Sequence, residues 1–241
     1  MAALEFHRPR VVAVFPLLLL ALAVCQNAHA SAVMYVSLDD QGRYLDPFDF
    51  VDRNGNTSGY AGVFLATLDG SNPYPVFCVD LYTDVNPGAP YSVDILSPDD
   101  TASLAYSSRL PQAAWLYVTY MPLVDAASNK AVAGAALQLA IWDVVEDGGD
   151  GLSSGSIRVD PAITNPTNLA ATNLASTMIA AAQGQSLLNA AVLMNIAGPA
   201  GSQTLLTAAD AFAPVPEPST MALLGVGLLS VAMLKSRRRR H

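Results

Sequence analysis

The stretch from Ala131 to Trp142 constrains the fold more than any other part of this 241-residue chain. It is almost entirely small or apolar and contains a single polar side chain, Gln138. A helix that is apolar on nearly every face belongs in the interior of a domain, and a buried amide needs hydrogen-bond partners. Gly134 costs this helix about 1 kcal/mol relative to Ala, so we expect another segment to approach it closely. A strand that carries Cys78 is the expected neighbour.

The segments around this helix predict an α+β domain over residues 31–207, with a single small β-sheet or barrel and a helical insertion. Four early segments are rich in Val, Tyr and Phe and are separated by turn residues, which predicts strands at residues 31–38, 62–68, 75–82 and 91–96. Three later segments predict helices at residues 97–121, 128–149 and 165–184. Two short closing strands are predicted at residues 190–198 and 203–207.

The N-terminus has the three parts of an export signal. A basic start precedes an apolar core at residues 11–24, and the small residues Ala28 and Ala30 precede the expected signal peptidase site. Residues 1–30 are therefore predicted to be a signal peptide that directs the chain to the secretory translocon. An uncleaved anchor helix is the alternative, but Pro16 and the short core argue against it.

The C-terminus combines an apolar segment with a basic end. Residues 219–234 carry no charge, and as a helix they would span roughly 24 Å at 1.5 Å per residue. The basic residues that follow are Lys235, Arg237, Arg238, Arg239 and Arg240. Such a block stays in the cytoplasm, so residues 219–241 predict a transmembrane helix with a cytoplasmic tail and place the preceding domain outside.

A Pro-rich linker over residues 208–218 precedes this helix and contains Pro216, Glu217 and Pro218. The Pro-Glu-Pro string, apolar helix and basic tail together resemble the PEP-CTERM sorting signal. The resemblance implies that an exosortase, a membrane protease-transpeptidase, removes the tail. It also implies delivery to the cell surface or biofilm matrix of a Gram-negative-type bacterium that makes extracellular polysaccharide. A permanent single-span membrane anchor is the alternative.

The segment between the two ends is strongly acidic and contains no histidine. From Ser31 to Pro214, five basic residues accompany eighteen acidic ones, and the three histidines lie at positions 7, 29 and 241. An acidic surface repels nucleic acid, while Ser-His-Asp catalysis, Cys-His catalysis and most zinc sites need an imidazole. A glycosidase needs only two carboxylates, but no aspartate pair stands out here. We therefore expect a non-enzymatic protein without a cofactor.

Cys78 is the only cysteine of the predicted domain and lies in the string FCVD, 60 residues before Gln138. Gln138 opens a Gln-X-Ala-hydrophobe-Trp pattern that ends at Trp142. This combination resembles the thioester domains of bacterial surface adhesins over about residues 33–145. The resemblance implies an internal thioester between Cys78 and Gln138 that attaches to target amines, shielded from water by Trp142 and Gly134. Alternatively, Gln138 only bonds to strand backbone, Cys78 is inert, and the domain binds surface partners or polysaccharide non-covalently.

Two acidic segments are weak candidates for calcium. Asp52, Asn54 and Asn56 alternate as calcium ligands do, although a hairpin turn on Asn54 and Gly55 is the preferred interpretation. A second acidic group lies at the end of the helix that contains Gln138, and its members are Asp143, Glu146, Asp147 and Asp150. A solvated acidic helix end is the preferred interpretation there, and a bound cation is the alternative.

Overall fold

The computed structural model describes residues 30–55, 58–160, 162, 165–195, 203–209 and 225–227. The domain lies within the compact unit Ala30–Ala213. The other unit is described only at residues 225–227, which are helical. The predicted signal peptide before Ala30, the Pro-Glu-Pro motif and most of the predicted transmembrane helix therefore lie outside the described residues. Within the described part, no helix is long and apolar enough to cross a membrane.

The residues that the structure describes form eight strands. They are β1 (Ala30–Leu38), β2 (Tyr44–Asp49), β3 (Ser58–Gly62), β4 (Phe64–Leu68), β5 (Tyr74–Cys78), β6 (Pro90–Leu96), β7 (Ala190–Asn195) and β8 (Leu205–Ala208). Six of them close into an antiparallel barrel in the order β1-β4-β5-β8-β7-β6. β2 and β3 pair as a separate hairpin. The predicted α+β class with a small barrel is therefore confirmed.

The barrel strands differ in burial, depending on whether another element packs against their outer face. In β1, Met34 and Val36 point into the core, while Tyr35 between them is 47% exposed, which is the period of two expected for a strand with one solvated face. β5 is instead buried on both faces. Its residue Phe77 is fully buried, and the ring of Phe77 packs edge-on against that of Tyr117, with 5.9 Å between the two centroids. Helices therefore cover the barrel on the β5 side.

In the described part of the chain between β6 and β7 lie three α-helices. They are α1 (Leu110–Ala126), preceded by a 3₁₀ turn at Ser107–Arg109, α2 (Lys130–Asp147) and α3 (Pro166–Ala182). α2 packs against both other helices and against β2, β3 and β5. All its residues from Ala133 to Val145 are buried, as its apolar sequence predicts. Its N-cap Asn129 accepts the Val132 N–H, and it ends at Gly148, which has a left-handed φ of 77°.

The predicted elements differ from the structure in three places. The first helix begins at Leu110 and not near Ser97, because residues 97–106 form turns and Pro111 favours the first turn of a helix. β2 and the start of β3 were missed, since a register shift between Leu45 and Phe48 breaks their alternation. β5 ends at Cys78, so its continuation to residue 82 was wrong.

Candidate functional site

The end of β5 and the middle of α2 bring Cys78 and Gln138 into direct contact. Oε1 of Gln138 accepts the main-chain N–H of Cys78 at 3.1 Å, and Nε2 donates to the main-chain oxygen of Cys78 at 2.7 Å. Cys78 is 2% exposed and Gln138 is 1% exposed. The Gln138 amide thus bonds to both the main-chain N–H and the main-chain oxygen of Cys78. Its own oxygen and nitrogen each gain the hydrogen-bond partner that a buried amide needs.

Gln203 is a third member of the site and was missed in the sequence. The thiol of Cys78 donates to Oε1 of Gln203 at 2.8 Å, and Nε2 of Gln203 donates to the main-chain oxygen of Asp80 at 2.7 Å. The antiparallel register, which pairs Cys78 with Leu205, places Gln203 beside the end of β5. A local pattern predicts the closing strand but not which strand it joins, so nothing in the sequence pointed to this contact.

The turn after Cys78 is held by an aspartate. Oδ1 of Asp80 accepts the Tyr82 N–H at 3.0 Å, and Oδ2 accepts the Thr83 hydroxyl at 2.5 Å. Asp80 therefore lies in a turn and does not share a strand face with Cys78. This turn fixes the position at which the cysteine strand leaves the barrel.

Electrostatics keep the thiol of Cys78 protonated. Burial raises its pKa well above the usual value, and the negative charges of Asp80 and Asp84 raise it further. Because the thiolate is the nucleophilic form of cysteine, a neutral buried thiol reacts slowly with reagents from solution. Any reaction at this sulfur therefore depends on a group already beside it.

Gly134 admits a close neighbour, as its place in the helix suggests, but the neighbour is not the Cys78 strand. A Cβ at Gly134 would lie 2.0 Å from the main-chain oxygen of Arg43. The guanidinium of Arg43 bonds to Asp39 and to Asp125, each at 2.7 Å, so the segment after β1 is held against the helices. The expectation that the cysteine strand approaches here was wrong, because this salt-bridged segment takes the place.

Trp142 lies one turn after Gln138 and is 3% exposed. Its ring packs against Phe50 with 5.5 Å between centroids. Its Nε1 is buried and has no hydrogen-bond partner among the residues that the structure describes. Shielding of Cys78 by Trp142 and Gly134 remains a prediction.

The weak calcium candidate at residues 52–56 forms a turn in the part that is described. Oδ1 of Asp52 accepts the Asn54 N–H at 2.8 Å, and the Gly55 N–H reaches the Asp52 carbonyl at 3.0 Å. Asn56 lies outside the described residues. These bonds are the ones expected of a turn between β2 and β3.

The C-terminal segment matches a known sorting signal. The model of the PEP-CTERM protein-sorting motif matches residues 214–240, which include Pro216, Glu217, Pro218 and the arginines of the tail. The chain carries an exosortase sorting signal. The motif implies processing by an exosortase and an exported protein sorted to the cell surface. The resemblance seen in the sequence is therefore confirmed.

Two solved structures of domains from Streptococcus pyogenes proteins are similar to this chain. The N-terminal domain of the pilus tip adhesin Cpa is 14% identical, with 76% of this chain and 95% of that chain covered and a TM-score of 0.45. The N-terminal thioester domain of the fibronectin-binding protein SfbI is 12% identical, with 74% and 92% covered and a TM-score of 0.44. No curated protein sequence matches the chain.

Proposed function

We propose that this protein is a non-catalytic surface or matrix protein that attaches covalently to amines through an internal thioester between Cys78 and Gln138. The observation that carries the proposal is the direct contact of the Gln138 amide with Cys78, across 60 residues of sequence, in a site closed to water. Export through the secretory translocon, with signal peptidase cleavage after Ala30, would precede sorting by the exosortase. The attachment target is an amine on a surface or matrix partner.

The chemistry needs no additional reactant. The sulfur of Cys78 attacks the side-chain carbonyl carbon of Gln138, the carbon–nitrogen bond breaks, and the thiol proton leaves with the nitrogen as ammonia. A target amine later attacks the same carbon, forms an amide with Gln138 and returns the sulfur as a thiol. Exclusion of water protects the thioester from hydrolysis until that amine arrives.

Before the thioester can form, both side chains must break their present hydrogen bonds. The amide of Gln138 must release the main chain of Cys78, and the thiol must turn from Gln203 towards the Gln138 carbon. The raised pKa of Cys78 makes this step slow unless the proton passes directly to the departing nitrogen.

A second candidate is a non-covalent adhesive or structural domain with the same sorting signal. The complete pairing of the Gln138 amide with the main chain of Cys78 favours it, because such a bidentate contact stabilises the junction of α2 and β5 without chemistry. Extracellular polysaccharide or surface proteins would then be bound non-covalently.

Intact mass spectrometry of the purified full-length protein separates the two candidates. The thioester predicts a species lighter by one ammonia than the mass calculated for the chain after removal of the signal peptide and any cleaved tail. This species gains one methylamine on treatment with that reagent and exposes a thiol. Peptide mapping should place the methylamide on Gln138. Cys78→Ala and Gln138→Glu, which keep a side chain at each position, should show neither the ammonia loss nor methylamine uptake.

An unmodified mass together with a Cys78 that is alkylated on unfolding would refute the thioester and leave the non-covalent candidate. A methylamide on Gln203 would also refute the Cys78–Gln138 assignment, because it would make the glutamine that accepts the thiol hydrogen bond the acyl partner. Gln203→Glu is the matched variant, and it should retain the ammonia loss.

A further inference from the structure

Three carboxylates gather where α2 ends, on the helix that also carries Gln138. Asp143 and Asp147 are four residues apart and so lie on one helix face, and Asp150 follows the turn at Gly148. One oxygen from each carboxylate lies within 4.8 Å of the other two. Like charges at this spacing repel, and the C-terminal end of a helix dipole is itself negative.

Asp143 enters this cluster from a fully buried position, with a relative exposure of 0%. Its Oδ2 accepts the Gly151 N–H at 3.3 Å, whereas its Oδ1 is buried without a hydrogen-bond partner among the described residues. A buried carboxylate oxygen without a partner is strongly unfavourable.

The described part of the chain supplies no cationic side chain to this cluster. The ion pairs found there both belong to Arg43. Arg109 donates through Nη1 to the main-chain oxygens of Val145 and Glu146, and Arg158 donates to the main-chain oxygen of Gly155 at 3.0 Å, so neither guanidinium is bonded to these carboxylates. The negative charge of the cluster is therefore left for a ligand to neutralise.

We infer that Asp143, Asp147 and Asp150 bind a calcium ion. Calcium takes six to eight oxygen ligands and prefers carboxylates, peptide carbonyls and water, and the cluster offers carboxylates alone, without the imidazole or thiolate that softer metals select. The ion would lie beside the buried carboxylate of Asp143, whose Oδ1 has no hydrogen-bond partner among the described residues. This site is independent of the proposed thioester, since it shares no ligand with Cys78 or Gln138.

Asp147 also connects the proposed calcium site to the loop that follows α2. Its oxygens accept the N–H groups of Ser156, at 2.9 and 2.8 Å, and of Ile157, at 2.9 Å. Oδ2 accepts two of these bonds, whereas Oδ1 accepts only the Ser156 N–H and keeps a lone pair with which it can bind a metal. An ion on Asp147 would hold residues 148–157 against the helix end and stabilise the folded state.

Calorimetric titration of the purified full-length protein with calcium chloride, together with thermal unfolding in calcium and in chelator, tests the inference. We expect one calcium site and a rise in Tm of about 5–10 °C when calcium is a hundredfold above the dissociation constant. Asp150→Asn, at an exposed position, should weaken calcium binding at least tenfold without preventing folding. Asp100→Asn, which changes another exposed carboxylate, should bind calcium as the unmodified protein does.

Asp143→Asn should lose the calcium response and melt at a higher temperature than the unmodified protein in chelator, because an amide replaces the buried charge. The absence of both heat and a Tm shift at millimolar calcium, the weak end of extracellular sites, would overturn the inference. A calcium response that is unchanged in Asp150→Asn would overturn it too, since the ion would then lie elsewhere.

Discussion

Gly134 and Gln138 lie one turn apart on α2, and each is explained by a different neighbour. Gly134 leaves room for the main-chain oxygen of Arg43, which itself accepts the Val63 N–H at 3.1 Å. Gln138 supplies the hydrogen bonds that the end of β5 lacks at Cys78. At the scale of single residues, two features therefore position the neighbours of α2: the missing side chain of Gly134 and the amide of Gln138.

Gly134→Ala should destabilise the protein despite the better helix propensity of alanine. The new methyl group would meet the Arg43 carbonyl oxygen at 2.0 Å, and overpacking of this kind costs about 1–3 kcal/mol, more than the propensity gain of about 1 kcal/mol. Urea unfolding at equilibrium measures the difference.

The control for this variant is Ala170→Gly, at an exposed position of α3, which isolates the propensity term and should cost about 1 kcal/mol. If Gly134→Ala proved more stable than the unmodified protein, the close approach of Arg43 would be contradicted.

At the scale of elements, α2 and α3 begin at asparagines whose side chains accept free N–H groups, whereas α1 has no side-chain cap. Asn165 accepts the N–H of Thr167 at 2.9 Å and that of Asn168 at 3.4 Å, and Pro166 occupies the first turn of α3. Asn168 in turn donates to Asp49 of β2 at 3.0 Å. The cap therefore fixes both the start of α3 and its attachment to the β2–β3 hairpin.

Asn165→Ala should lower the free energy of unfolding by about 1 kcal/mol, because both N–H groups lose their acceptor. Asn173→Ala, the same substitution at an exposed position inside α3, should be neutral or slightly stabilising, since alanine is the better helix former. Chemical denaturation of the two variants side by side gives the comparison. An effect of the same sign and size at the two positions would rule out a capping role for Asn165.

At the scale of the whole molecule, Arg43 joins the barrel to the helical layer. Its guanidinium bonds to Asp39, directly after β1, and to Asp125 near the end of α1. Burial acts to raise the pKa of Asp39, but the hydrogen bonds and charge of Arg43 outweigh it and hold that pKa below its usual value of 3.8. The folded state therefore binds the Asp39 proton more weakly than the unfolded state does.

A carboxyl group whose pKa is lowered on folding contributes stability above its unfolded pKa and loses it as the pH falls through the folded value. Asp39→Asn should therefore cost about 3 kcal/mol at pH 7, because it leaves the buried Arg43 without its main partner. The difference from the unmodified protein should begin to shrink below about pH 4, where Asp39 of the unfolded chain takes up a proton, and should shrink further as the pH falls through the lower folded pKa.

Urea unfolding between pH 7 and pH 3 measures this dependence, with Asp40→Asn as the matched exposed control. A stability difference that stays constant over that range would show that the charge of Asp39 does not contribute.

Local chemistry determined much of what was predicted correctly. The apolar run from Ala131 to Trp142 required a buried helix, the Val- and Tyr-rich segments required strands, and Asn165 with Pro166 required a helix start. The sorting signal is also local, since a linear motif and a charge pattern suffice to define it. These features depend on residues close together in the chain, so the sequence alone determines them.

Only the tertiary structure decided which distant segments meet. The pairing of β5 with β8 brought Gln203 to the thiol of Cys78, and the salt-bridged segment at Arg43 took the place beside Gly134. The buried oxygen of Asp143 likewise became unpaired only when α2 was enclosed by its neighbours. Such contacts depend on strand order, register and burial, which are set by packing over the whole domain and leave no local pattern in the sequence.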